Sequence, residues 1–61
     1  MKNYYEVIHR GITKKFENKE EAMHHSKTLE KLGYAVLVKY ISLSVYCEVK
    51  TIIYKSPSEV V

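Results

Sequence analysis

The stretch YAVLVKYISLSVYCEVKTIIYK, Tyr34 to Lys55, runs twenty-two residues without a Gly, Pro, Asn or Asp. As one strand at ~3.3 Å per residue it would span roughly 70 Å. A compact chain of 61 residues has a radius of gyration near ~10 Å and is about 25–30 Å across. The stretch must therefore fold back on itself or cross into a second chain.

Alternation points to where it reverses. Tyr34, Val36, Val38 and Tyr40 share one face of the first half, and Val45, Cys47, Val49, Thr51 and Ile53 share one face of the second. A reversal centred on Ser42-Leu43 pairs Tyr40 with Val45, Val38 with Cys47 and Val36 with Val49, every pair apolar. A slip by one residue sets Val36 against Lys50 and Val38 against Glu48, which drives charge into a core. The serines of ISLS are weak turn formers. A loop so poor in turn residues leaves a strand exchanged between two subunits as the alternative.

Upstream, YYEVIHRGITKKF (Tyr4 to Phe16) reads as a hairpin with Arg10-Gly11 as its turn. A two-residue turn pairs His9 with Ile12, Val7 with Lys14 and Tyr5 with Phe16 on one face, and Ile8 with Thr13 and Glu6 with Lys15 on the other. The opposite charges of Glu6 and Lys15 favour that register. Then ENKEEAMHHSKTLEKLG carries the marks of a helix: Asn18 and Glu21 as a capping pair, Glu20 and Glu21 in the first turn, and Gly33 as the stop. Its apolar positions, Ala22, Ser26, Leu29 and Leu32 with Met23 beside them, make one narrow stripe, enough to cover one face of something.

The order is thus strand, strand, helix, strand, strand: an α+β domain, residues 1–55, with a four-stranded sheet and one helix on one face. It resembles the order of a β-grasp domain, in which the first and last strands lie side by side in the middle. On that expectation the third strand is an edge guarded only by Lys39. SPSEVV, from Ser56 on, lacks an apolar pattern and is expected to be a loose tail.

A domain this small buries a thin core, and self-association is a common remedy, so a homodimer is expected. The single cysteine, Cys47, excludes an intramolecular disulfide and fits a reducing compartment; its alternation with Val45 and Val49 makes it a small core residue. MKNYYEVIHR has no apolar core of a secretory signal, and no uncharged run approaches a membrane span. A cytoplasmic protein without membrane contact is the expectation.

Chemistry-bearing residues do not assemble into a catalytic pattern, and the expectation is a non-enzyme without cofactor or metal. His24 and His25 are adjacent on the helix and point about 100° apart, whereas a chelating pair is spaced i, i+4. His9 lies on the inward face near the hairpin turn, without a nucleophile or carboxylate spaced to partner it.

Six tyrosines call for a surface reading. Tyr5, Tyr34 and Tyr40 fall on the core face, and Tyr4, Tyr46 and Tyr54 on the opposite one with Ile8, Leu37 and Ile52. One helix covers one face, so the second face is open. The expected partner-binding set is Tyr4, Leu37, Lys39, Tyr46, Lys50, Ile52 and Tyr54, since Tyr is enriched where binding energy concentrates. The expected function is a small protein-binding modulator. The bias to Lys, Tyr and Ile suits an AT-rich genome, and a phage-encoded inhibitor of a host defence or nucleic-acid-processing protein, working in the host cytoplasm, fits that size and composition. The alternative is a small basic nucleic-acid-binding protein, given ten Lys plus Arg against seven acids and a net charge of +3. Arg10 is the sole arginine and all seven acids are Glu, which argues against base-specific reading of DNA.

Overall fold

The computed structural model describes residues 3–56. In chain order they form β1 (Tyr4–His9), β2 (Ile12–Phe16), α1 (Lys19–Lys31), β3 (Leu37–Leu43) and β4 (Glu48–Lys55). The strands make one antiparallel sheet, and α1 packs across β1, β2 and β3 on one face. The α+β class, the element order and the single helix on one face are as expected.

Local chemistry explains the first half. Arg10 and Gly11 both take positive φ, 50° and 78°, which is the type I′ turn whose twist matches its strands. Every β1–β2 pair expected from that turn is present, Glu6 opposite Lys15 included. The Asn18 side chain accepts from the amides of Glu20 (2.7 Å) and Glu21 (3.4 Å) and so starts α1. At the other end Gly33, at φ 97°, donates to the Glu30 carbonyl while Tyr34 donates to that of Leu29. That double bond is a Schellman stop, and it needs the left-handed region glycine enters freely.

The second half departs from expectation in three linked ways. The strand order is β2-β1-β3-β4, so β1 lies beside β3 rather than β4. The exposed edge is therefore β4, not the third strand. After α1, the chain needs only to step over β1 to lie down as β3, whose Val36 approach and Val38 are buried; β4 then follows by the short hairpin rather than by insertion between two strands.

The hairpin also turns later than Ser42-Leu43. Leu43 faces Glu48, and Ser44 to Cys47 form the loop. The Ser44 hydroxyl accepts from the amides of Tyr46 (3.2 Å) and Cys47 (3.1 Å), and the Ser44 amide donates to the Cys47 carbonyl (3.0 Å). Side chain to backbone bonds of this kind close a turn that has no glycine. The loop closes within one chain. The molecule is 43 Å along its longest axis, more extended than the compact sphere expected yet still too short for the ~70 Å of one straight strand.

Last, a β-bulge leaves Ile53 unopposed: Lys39 faces Ile52 and Val38 faces Tyr54. The extra residue shifts the parity of the end of β4 and swings Tyr54 onto the helix side, where its hydroxyl donates to Glu30. The core is Val7, Ala22, Leu29, Val36 and Val38, with Tyr5, Phe16, Met23, Tyr34 and Tyr54 packed against it. Val45, Cys47, Val49, Thr51 and Ile53, expected inside, are all exposed. A 13-residue helix about 10 Å wide covers two or three strands spaced ~4.8 Å apart, and the fourth lies beyond it. Ser56 continues the ladder: its amide donates to the Val36 carbonyl (3.0 Å) and its hydroxyl accepts from the Val36 amide (2.8 Å). Residues 57–61 of the expected tail lie outside the described residues.

Candidate functional site: the uncovered sheet face and the β4 edge

Strand pairing assigns each expected binding residue to a face, because residues directly opposite each other share one. Across the helix-free face run three rows. Thr13, Ile8, Leu37 and Lys55 make the first; Lys15, Glu6, Lys39 and Ile52 the second; Tyr4, Ile41 and Lys50 the third. Tyr4, Leu37, Lys39, Lys50 and Ile52 are thus brought together on one surface. Tyr46 is not on it, since it stands at the hairpin tip, 94% exposed. Tyr54 is not on it either, having been turned to the other face by the bulge.

The face sets a charged row, Lys15, Glu6 and Lys39, between two more apolar ones. Ile41 is fully buried between Tyr4 and Lys50, although it lies outside the helix-side core. Glu6, flanked by Lys15 and Lys39, is only 8% exposed. The Lys15 ammonium sits 4.8 Å from the Tyr4 ring centroid, close enough for a cation–π contact. Ile52, by contrast, is 57% exposed.

On the helix side the polar groups are engaged with one another. The His9 and Tyr34 rings lie 5.1 Å apart, and the Arg10 guanidinium lies 5.7 Å from the centre of Tyr34. The Tyr5 and Tyr40 rings pack at 5.0 Å between centroids, tilted by 43°. The Tyr54 phenol holds its proton above its ordinary range, first because its hydroxyl is bonded to the Glu30 carboxylate, then because it is partly buried and faces that negative charge. His25 packs on Phe16 at 5.2 Å. Burial, and then the positive fields of Lys14, His9 and His24, keep its pKa below the ordinary 6.5. His24 is exposed. Among the described residues no three His, Cys, Asp or Glu side chains converge as metal ligands, and no helix is long and apolar enough to cross a membrane.

Along the β4 edge the sequence reading named Tyr46, Lys50 and Ile52 and missed Val45, Glu48, Val49 and Ile53. Glu48 and Lys50 form an ion pair at 3.7 Å within the strand, with Val49 between them on the opposite face. Val45 and Tyr46 at the tip, and Val49, Ile52 and Ile53 along the strand, are large apolar side chains left exposed. The legible signal was a strand apolar on both faces, with one acid and one base two residues apart. Comparison of the chain with known protein families, with characterised proteins and with solved structures returns no match.

Proposed function

We propose that the protein is a non-enzymatic binding module, a homodimer that presents the uncovered face of its sheet to a partner protein. The observation carrying this reading is that face itself: Tyr4, Ile8, Leu37 and Ile52 lie among Lys15, Lys39 and Lys50 with no described element over them. Aromatic and apolar groups interleaved with lysines on an uncovered sheet face favour an interaction surface. A chain of this size acts by occupying part of a larger protein, and an inhibitor carried by a phage against a host enzyme, working in the host cytoplasm, is the setting we favour.

The test is affinity capture with the wild type and Leu37→Lys, a change on central β3 well away from the β4 edge, after circular dichroism has established that the variant folds. A partner held by the wild type and weakened about tenfold or more by Leu37→Lys supports the reading. Equal retention by both, or no enriched partner, overturns it. The nucleic-acid reading gains little from the geometry, since it needs several open tyrosine faces for stacking and of the six tyrosines only Tyr46, at the hairpin tip, offers one. Tyr4 sits under Lys15, Tyr5 against Tyr40, Tyr34 against His9, and Tyr54 on Glu30.

A further inference from the structure

The strand with the composition of a sheet interior lies at the sheet's edge. β4 carries Val49 on the helix side, Ile52 on the other and Ile53 in the bulge, all exposed. β2, the opposite edge, is short and guarded by Lys14 and Lys15, as solitary edges are. β4 carries Lys50, Lys55 and the bulge, but Lys50 is paired with Glu48 along the strand and Val49, Ile52 and Ile53 stay exposed between them.

Its hydrogen-bonding groups can be assigned. Ser44 and Cys47 are a hydrogen-bonded pair, and in an antiparallel ladder such pairs alternate with non-bonded ones. Ser42–Val49 and Tyr40–Thr51 therefore bond within the hairpin. The amides and carbonyls of Glu48, Lys50 and Ile52 point outward, toward nothing among the described residues. The bulge after Ile52 ends this regular edge.

We infer that this edge takes the β4 of a second copy, antiparallel, about a two-fold axis at Val49. The inference rests on the homodimer reading above and assigns its interface. Charge and pleat select the register. With Val49 facing Val49, each Glu48 lies opposite Lys50 of the second copy, as a hydrogen-bonded pair with opposite charges. Tyr46 then meets Ile52, Val45 meets Ile53 at the end of the ladder, and Cys47 meets Thr51 on the helix side. A two-residue shift one way opposes Lys50 to Lys50, and the other way Glu48 to Glu48; a one-residue shift brings inward-bonded groups to the edge. In the chosen register every exposed apolar residue of the hairpin gains an apolar partner. β4 becomes interior in an eight-stranded sheet, as its composition demands, with both helices on one side and one continuous uncovered face on the other.

The register is read by disulfide trapping under oxidised glutathione. A non-bonded antiparallel pair brings Cα atoms to about 4.5 Å, within disulfide reach. Val49→Cys in a Cys47→Ser background is expected to run as a covalent dimer, and so is Thr51→Cys with Cys47 kept. Wild type, whose two Cys47 lie about 13 Å apart along the strand, is expected to stay uncrosslinked. Light scattering should show a concentration-dependent dimer. Glu48→Lys and Lys50→Glu singly should each raise the dissociation constant about tenfold, and the double exchange should restore it. A wild-type dimer in which Val49→Cys does not crosslink overturns this edge and leaves the homodimer reading standing. A monomer at every concentration overturns both, while partner capture through Leu37 is decided separately.

Discussion

At the scale of single residues, what the sequence disclosed was whatever acts within a few positions of itself. Asn18 and Gly33 were legible as helix ends because their bonds go to amides and carbonyls two to four residues away. The Arg10-Gly11 turn was legible for the same reason. Cys47 was not: alternation with Val45 and Val49 marks a face, but only tertiary packing says whether that face is covered. His25 was weighed in the sequence only as a metal ligand beside His24, yet it is half-buried against Phe16. Its lowered pKa has a direct consequence. The unfolded chain titrates it at the ordinary 6.5 and the folded chain below that, so within that window the unfolded state binds more protons. Stability from this group is then complete above 6.5 and is lost as the pH falls through 6.5 toward the folded value. Urea unfolding of wild type and His25→Gln across that range checks it. The wild type is expected to lose stability on acidification more steeply than the variant; parallel slopes would show that His25 is not the group responsible.

At the scale of elements, four strands and a helix were readable from periodicity, and the register of β1 with β2 followed from its turn. The register of β3 with β4 did not, because two pieces of information are absent from alternation. One is the hydroxyl of Ser44, which gathers two amides and sets the loop at Ser44 to Cys47. The other is the bulge at Ile53, which breaks the period of two and sends Tyr54 to the helix. The turn assignment makes a contrast between two serines only two positions apart. Ser44→Ala removes the acceptor for the Tyr46 and Cys47 amides, which then turn to water, so the loss is expected to be about 1 kcal/mol or less. Ser42→Ala, at the earlier turn expectation, changes a half-buried strand position facing Val49 and is expected to be smaller still. Thermal unfolding ranks the two, and the Tyr46 and Cys47 amide resonances should move only in Ser44→Ala. A larger effect from Ser42→Ala would put the reversal back at Ser42-Leu43.

At the scale of the whole molecule, the uncovered face was legible from counting: one helix cannot cover both sides of a four-stranded sheet. Which strand ends at the edge was not, since a strand apolar on both faces reads as central in any single chain. The two observations meet if the edge is completed by a second copy, and amide exchange distinguishes the alternatives without any substitution. Pairing assigns the outward amides on both edges, Thr13 and Lys15 on β2 and Glu48, Lys50 and Ile52 on β4, because the alternate residues bond to the neighbouring strand. In a monomer all five exchange quickly. In the dimer centred on Val49 the three β4 amides bond across the two-fold, and their exchange must slow as the protein concentration rises, whereas Thr13 and Lys15 keep their rates. The Tyr5 and Val7 amides, bonded inside the β1–β2 hairpin, calibrate both samples. Concentration-independent exchange at Lys50 and Ile52 would mean that β4 stays open. Slowing at Thr13 and Lys15 instead would move the interface to the lysine-guarded edge and leave the apolar strand without its explanation.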